Sequence, residues 1–133
     1  MNFRNPFTLK LPNLQKLILK NIKNINLSDI PNLKYYDGDE IHLSILKSEA
    51  LENIKVLSKE NNSFEMERKT IEKIISFNNL KEFSLTLKQF DANITDKIIG
   101  ENKSVIKINL DNTYLLVNFL TKFPNLLELH IDL

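Results

Sequence analysis

Two histidines, His42 and His130, are the side chains of this 133-residue chain best suited to proton transfer or metal ligation near neutral pH. They lie far apart in sequence, and neither is followed by a second ligand at metal-like spacing. A surface or partly satisfied histidine is the simpler reading of each, and no metal is expected. Asp37-Gly38-Asp39-Glu40 is rich in oxygen ligands, but it lacks the alternating acids, glycine and distant glutamate of a calcium loop. It reads as a turn of solvated acids. No G-x-S-x-G elbow and no histidine paired with a serine nucleophile occurs, and two glycines in total leave no phosphate-cradling loop. Catalytic residues and a cofactor are therefore not expected, and the chain does not read as an enzyme.

Composition narrows the classes further. Sixteen lysines stand against two arginines, with abundant asparagine and isoleucine, as an AT-rich coding sequence would produce. The formal net charge is only +1, so the chain carries no basic field of the kind that nucleic acid or an anionic membrane would recognise. No cysteine is present, which excludes disulfides and thiolate metal sites and fits a reducing compartment. Residues 1–10 lack the apolar run of a signal peptide, and no stretch of about 18 apolar residues occurs. The expected location is intracellular, in the cytoplasm. Sequons at Asn26, Asn61, Asn93 and Asn102 are unsurprising in an asparagine-rich chain and are not expected to be used.

The elements that would have to position any site are announced by a recurring tetrapeptide. Leu11-Pro12-Asn13-Leu14, Ile30-Pro31-Asn32-Leu33, Phe77-Asn78-Asn79-Leu80 and Phe123-Pro124-Asn125-Leu126 each put an apolar residue, a breaker and an asparagine before an anchor leucine. Apolar residues usually follow the anchor at offsets three and five: Leu14/Leu17/Leu19, Leu33/Tyr36/Gly38, Leu80/Phe83/Leu85 and Leu126/Leu129/Ile131, where Gly38 is the exception. Leu51/Ile54/Val56 and Val105/Ile108/Leu110 are weaker copies. Side chains alternate across a strand, so offsets three and five share one face and the residues between them share the other. Each strand needs a return segment before the next can run parallel to it, so the units must stack to bury their apolar faces.

The pattern L-x-x-L-x-L resembles the leucine-rich repeat family from Leu11 onward, and the anchors lie about 18 to 29 residues apart, against the ~20–29 usual for that repeat. The resemblance implies an α/β fold: a single leucine-rich-repeat domain over residues 1–133, a solenoid of about six repeats whose parallel curved sheet carries helices and loops on its convex side. Strands are predicted to begin near residues 15, 34, 53, 81, 106 and 127, with Leu17, Leu19, Phe83, Leu85, Ile108, Leu110, Leu129 and Ile131 inside. The family usually adds an asparagine or cysteine where the chain leaves the strand. Here offset eight holds Ile22, Ile41, Lys59, Lys88 and Thr113, so that ladder is missing and the buried turns need other partners.

Three returns read as helical. Residues 64–77 carry Ile71, Ile74 and Ile75 as a stripe behind a cap at Asn62 or Ser63; a short helix over 95–99 ends at Gly100; and residues 114–122 form a third before Pro124. Returns 22–30 and 41–50 read as loop or one helical turn.

The outward strand positions would line a concave surface of the kind solenoids use for binding. The candidate protein-binding residues are Lys16, Tyr35, Asp37, Lys55, Glu82, Ser84, Lys107, Asn109, Asp111, Glu128, His130 and Asp132. The last three repeats lean acidic, which gives a weak preference for a basic partner segment. A non-catalytic protein–protein interaction module is the expected function. The alternative is a structural or assembly protein associating through solenoid edges, because strand 126–133 reaches the last residue without a polar cap. Either the chain is a fragment of a longer array or it self-associates through this C-terminal strand.

Overall fold

The computed structural model describes residues 7–22, 25–57, 64–86, 98–111 and 117–132. Six of its strands form one parallel sheet: β2 (Lys16–Ile18), β4 (Tyr35–Gly38), β5 (Asn53–Leu57), β6 (Glu82–Thr86), β7 (Lys107–Asp111) and β8 (Glu128–Asp132). They are ordered in the sheet as in the sequence, each paired in parallel with the next. A second, two-stranded parallel sheet joins β1 (Phe7–Lys10) to β3 (Ile25–Asp29). The helices are α1 (Glu40–Ile45), α2 (Phe64–Ser76) and α3 (Val117–Leu120). Helix α1 packs against both β3 and α2. No described helix is long and apolar enough to cross a membrane.

Four of the six strands, β2, β4, β6 and β8, are entered in the same way. In all four tetrapeptides the anchor amide donates back to the carbonyl three residues earlier: Leu14 to Leu11 (3.2 Å), Leu33 to Ile30 (3.4 Å), Leu80 to Phe77 (3.2 Å) and Leu126 to Phe123 (3.2 Å). This is the hydrogen bond of a β-turn, for which proline and asparagine supply the central conformations. After the turn the apolar pair faces one side. Ile54 and Val56, Phe83 and Leu85, and Ile108 and Leu110 are buried there with Ile71, Ile74, Phe77, Phe119 and Phe123 from the return layer. Phe83, Phe119 and Phe123 meet as an aromatic trio, with centroids 5.2 to 6.2 Å apart.

Several expectations are corrected. Return 22–30 holds strand β3, because Ile25 and Leu27 alternate with polar residues and find a parallel partner in β1. Leu129 and Ile131 are 39% and 38% exposed rather than inside, since no described strand lies beyond β8 to cover them. Asp37-Gly38-Asp39-Glu40 is not a solvated turn. Gly38 ends β4, Asp39 caps α1 by accepting the His42 amide at 2.8 Å, and Glu40 is fully buried, where its carboxylate accepts the Thr70 hydroxyl at 2.9 Å. Of the two readings of His42, surface or partly satisfied, the second applies: it is buried, with Nδ1 2.7 Å from Asp39 Oδ1 but without hydrogen-bond geometry to it. Of the predicted helices, that over 64–77 spans Phe64–Ser76, with its expected caps outside the described residues. Residues 117–120 of the third are helical, and residues 112–116 lie outside the description. Residues 95–97 also lie outside it; Ile98 and Ile99 are irregular, and Gly100 adopts φ +103°, the left-handed region expected of it.

Gly38 explains the odd second unit. It occupies the inward offset-five position, and the Tyr36 ring fills the space a side chain would take: a Cβ there would lie 2.5 Å from the tyrosine oxygen. That hydroxyl donates to the Asp39 carbonyl at 2.8 Å. Burial, with Asp39 and Asp37 nearby, pushes its ionisation well above the usual phenol range.

The missing asparagine ladder is replaced by another at the opposite end of the strands. Asn32 donates to the Pro12 carbonyl (2.6 Å), Asn79 to Glu49 (2.8 Å) and Asn125 to Lys103 (2.8 Å), in each case from one residue before an anchor to two before the preceding anchor. Where that asparagine is replaced by Ala50 or Ser104, a polar residue two positions earlier acts instead. The Ser48 hydroxyl reaches the Pro31 and Leu33 carbonyls (3.1 and 2.8 Å). Asn102 donates to Phe77, Ile75 and Ile74 (2.8, 3.2 and 3.5 Å) and accepts from the Ser104 and Val105 amides (2.8 and 3.3 Å). Every junction between successive strands thus carries a side-chain hydrogen bond to the unit before it.

Candidate functional site

Alternation makes the outward face of the six-stranded sheet, and register makes it orderly. Its first row runs Lys16, Tyr35, Asn53, Glu82, Lys107, Glu128; its second Ile18, Asp37, Lys55, Ser84, Asn109, His130. A third row holds Leu57, Thr86, Asp111 and Asp132. All twelve residues expected on this face from the sequence are therefore brought together. Lys16, Lys55, Asp111, Glu128, His130 and Asp132 are exposed, while Tyr35, Asp37, Glu82, Ser84, Lys107 and Asn109 are half-buried by their neighbours across the strands. Asp39, two residues beyond Asp37, does not join this face but is drawn into the cap of α1.

Contacts along the rows fix these side chains. Lys107 Nζ sits between Glu82 (3.9 Å) and Glu128 (3.3 Å), and His130 Nε2 lies 3.2 Å from the other Glu128 oxygen. The hydrogen bond from His130, then that from Lys107, holds the Glu128 carboxyl below the usual carboxylate range. Asn109 donates to the Ser84 hydroxyl (3.1 Å) and to Glu82 (3.3 Å). Lys16 Nζ lies 4.7 Å from the centroid of the Tyr35 ring, a cation–π distance.

A groove of about 860 Å³ at the C-terminal part of the strands is lined by Asp37, Lys55, Ser84, Asn109, Asp111, His130 and Asp132, together with apolar residues such as Val56 and Leu110. Leu57, 58% exposed, and Lys20 also line it. The alternation of acids, bases and amides supplies hydrogen-bond donors and acceptors at the strand spacing of about 4.8 Å. Such spacing suits an extended chain or the polar surface of a folded partner. Among the described residues no group of three or more histidine, aspartate or glutamate side chains is placed to hold a metal ion.

Sequence reasoning missed the polar side chains that brace the sheet. Asn102 was visible only as an unused sequon, yet it is 3% exposed and bonded on both sides of its amide. Asn26 is half-buried in β3, and Asn61 and Asn93 lie outside the described residues. The signal that could have found Asn102 and Ser48 is their shared place, three residues before an anchor, in the two units that lack the tetrapeptide asparagine. Comparison with protein-family models, with curated proteins and with solved structures returns no match to this chain.

Proposed function

We propose that the chain is a leucine-rich-repeat solenoid of six repeats and a non-catalytic protein–protein interaction module. The observation that carries this reading is the outward sheet face, where two mainly polar rows run in unbroken register across all six strands and a third across the last four. The repeated entry turns and junction bonds support a solenoid, because each unit is braced mainly against the one before it. In such a stack the outward face is the concave one. A partner segment lying across the strands would meet Asp37, Lys55, Ser84, Asn109 and His130 in turn, with Leu57 as an apolar contact. A basic segment is favoured, because Lys107 is already engaged by Glu82 and Glu128 and the acids Asp37, Asp111 and Asp132 are all among the residues that line the groove. The near-zero net charge argues against nucleic acid and membrane as partners. The cysteine-free sequence supports an intracellular, cytoplasmic setting. No cofactor is invoked.

Fluorescence anisotropy with extended lysine-rich peptides tests this reading. Binding should weaken with salt and be lost in Ser84→Trp, which fills the middle of the face without touching the core. Acidic peptides binding equally well, or basic peptides binding Ser84→Trp undiminished, would overturn it.

A further inference from the structure

The two edges of the six-stranded sheet are complementary halves of the junction the molecule repeats internally. At each internal junction, the carbonyl one residue beyond an anchor accepts two successive amides of the next unit. Gln15 takes Lys34 and Tyr35 (2.8 and 2.9 Å), and Ile106 takes Leu127 and Glu128 (2.9 and 3.0 Å). The same position in the last unit is the Leu127 carbonyl just before β8, and the matching amides in the first unit are those of Gln15 and Lys16 at the start of β2. The turn ladder offers a second match: Pro124 stands where Pro12 accepts Asn32, and Asn13 stands where Asn32 donates.

Side chains follow the same register. A β2 strand placed beyond β8 at the internal spacing would set Leu17 beside Leu129 and Leu19 beside Ile131, covering the apolar pair that the edge leaves 39% and 38% exposed. On the outward face Lys16 would meet Glu128, and Lys20 would meet Asp132. The first of these extends the existing alternation Glu82, Lys107, Glu128 by one further cation. An antiparallel pairing of two β8 strands about His130 would instead oppose Glu128 to Asp132 twice, and like charges directly opposite are destabilising.

We propose that the chain stacks head to tail with a second copy of itself, β8 of one protomer continuing in parallel into β2 of the next. The contact is heterologous, so it leaves a free β8 at one end and a free β2 at the other and can propagate. It rests on the repeat geometry and on the charges and apolar pair at the two edges, and does not depend on what the outward face binds.

The test is sedimentation velocity over a concentration series with two charge-reversed double variants, Lys16→Glu/Lys20→Glu at β2 and Glu128→Lys/Asp132→Lys at β8. All four positions are exposed, and far-UV circular dichroism checks that both variants fold. The unaltered chain should grow beyond a dimer with concentration, and each variant alone should associate about tenfold more weakly, as like charges replace complementary ones. An equimolar mixture should regain association, since the intact β8 of the first variant fits the intact β2 of the second. A strictly monomeric chain at the highest attainable concentration overturns the proposal. So does association that only the β8 variant weakens, the mark of a symmetric β8 pair, or that neither weakens. Hydrogen-exchange protection of the outward β8 amides in a dilute monomer would show the edge covered by the chain's own residues, and would overturn it too. Peptide binding blocked by Ser84→Trp is read separately, so either idea can fail without the other.

Discussion

Replacing Asn102 by alanine isolates the bracing that stands in for the missing ladder. The side chain is 3% exposed and works in both directions. Its amide donates at the C-terminal end of α2, and its oxygen accepts the Ser104 and Val105 amides. The alanine variant does not orphan every partner, because the Phe77 carbonyl also accepts the Leu80 amide and the Ile74 carbonyl accepts the Phe77 amide. What remains uncompensated is the Ile75 carbonyl, the half-buried Ser104 amide and the buried Val105 amide, while the Ser104 hydroxyl, which also donates to that oxygen at 2.6 Å, can rotate to another acceptor. With about 1 kcal/mol for each partly wetted group and up to ~2 kcal/mol for the buried amide, the loss is about 3–4 kcal/mol. Asn125→Ala is the control, since that exposed side chain makes a single bond, to Lys103, and should cost only about 0.5–1 kcal/mol. In urea denaturation with a slope of about 2 kcal/mol/M, Asn102→Ala should lower the midpoint by roughly 1.5–2 M and Asn125→Ala by less than about 0.5 M. A loss below about 1 kcal/mol for Asn102→Ala, or equal losses for the two, would refute the argument that the buried asparagine replaces the ladder.

The core and the edge should respond differently. Phe83→Ala removes the hub of the aromatic trio and should cost about 3–5 kcal/mol, whereas Leu129→Ala at the edge should cost less than about 1.5 kcal/mol in the monomer, both measured by thermal or denaturant melts. Gly38→Ala should cost about 1–3 kcal/mol, because the new methyl group displaces the Tyr36 ring and its bond to Asp39; adding Tyr36→Leu to the same variant should restore part of the loss. Carbon-detected NMR titration should find Glu128 protonating below the usual glutamate range. Since the folded state favours its charged form, its contribution to stability is complete above the unfolded value and is lost as pH falls through the lowered one. In His130→Ala the Glu128 midpoint should move back up.

What the sequence determined by itself is whatever repeats locally. The β-turn is made by four consecutive residues, and side-chain direction alternates with every residue, so tetrapeptide and offsets are enough to locate six strands, their register and all twelve outward residues. Even the weak third strand, Asn53–Leu57, obeys the rule, with Ile54 and Val56 buried. Three things were settled only by tertiary structure. Strand β3 exists because β1 lies beside it, and no local pattern reports a partner. Glu40 and His42 look like surface residues in sequence, but stacking places β3 and α2 around α1, and burial of a polar group depends on what surrounds it. Leu129 and Ile131 share the pattern of Ile108 and Leu110, yet they stay partly exposed, because no described strand covers the far side of β8. Periodicity reports which face a residue takes. Whether that face is covered is decided by the next strand in space.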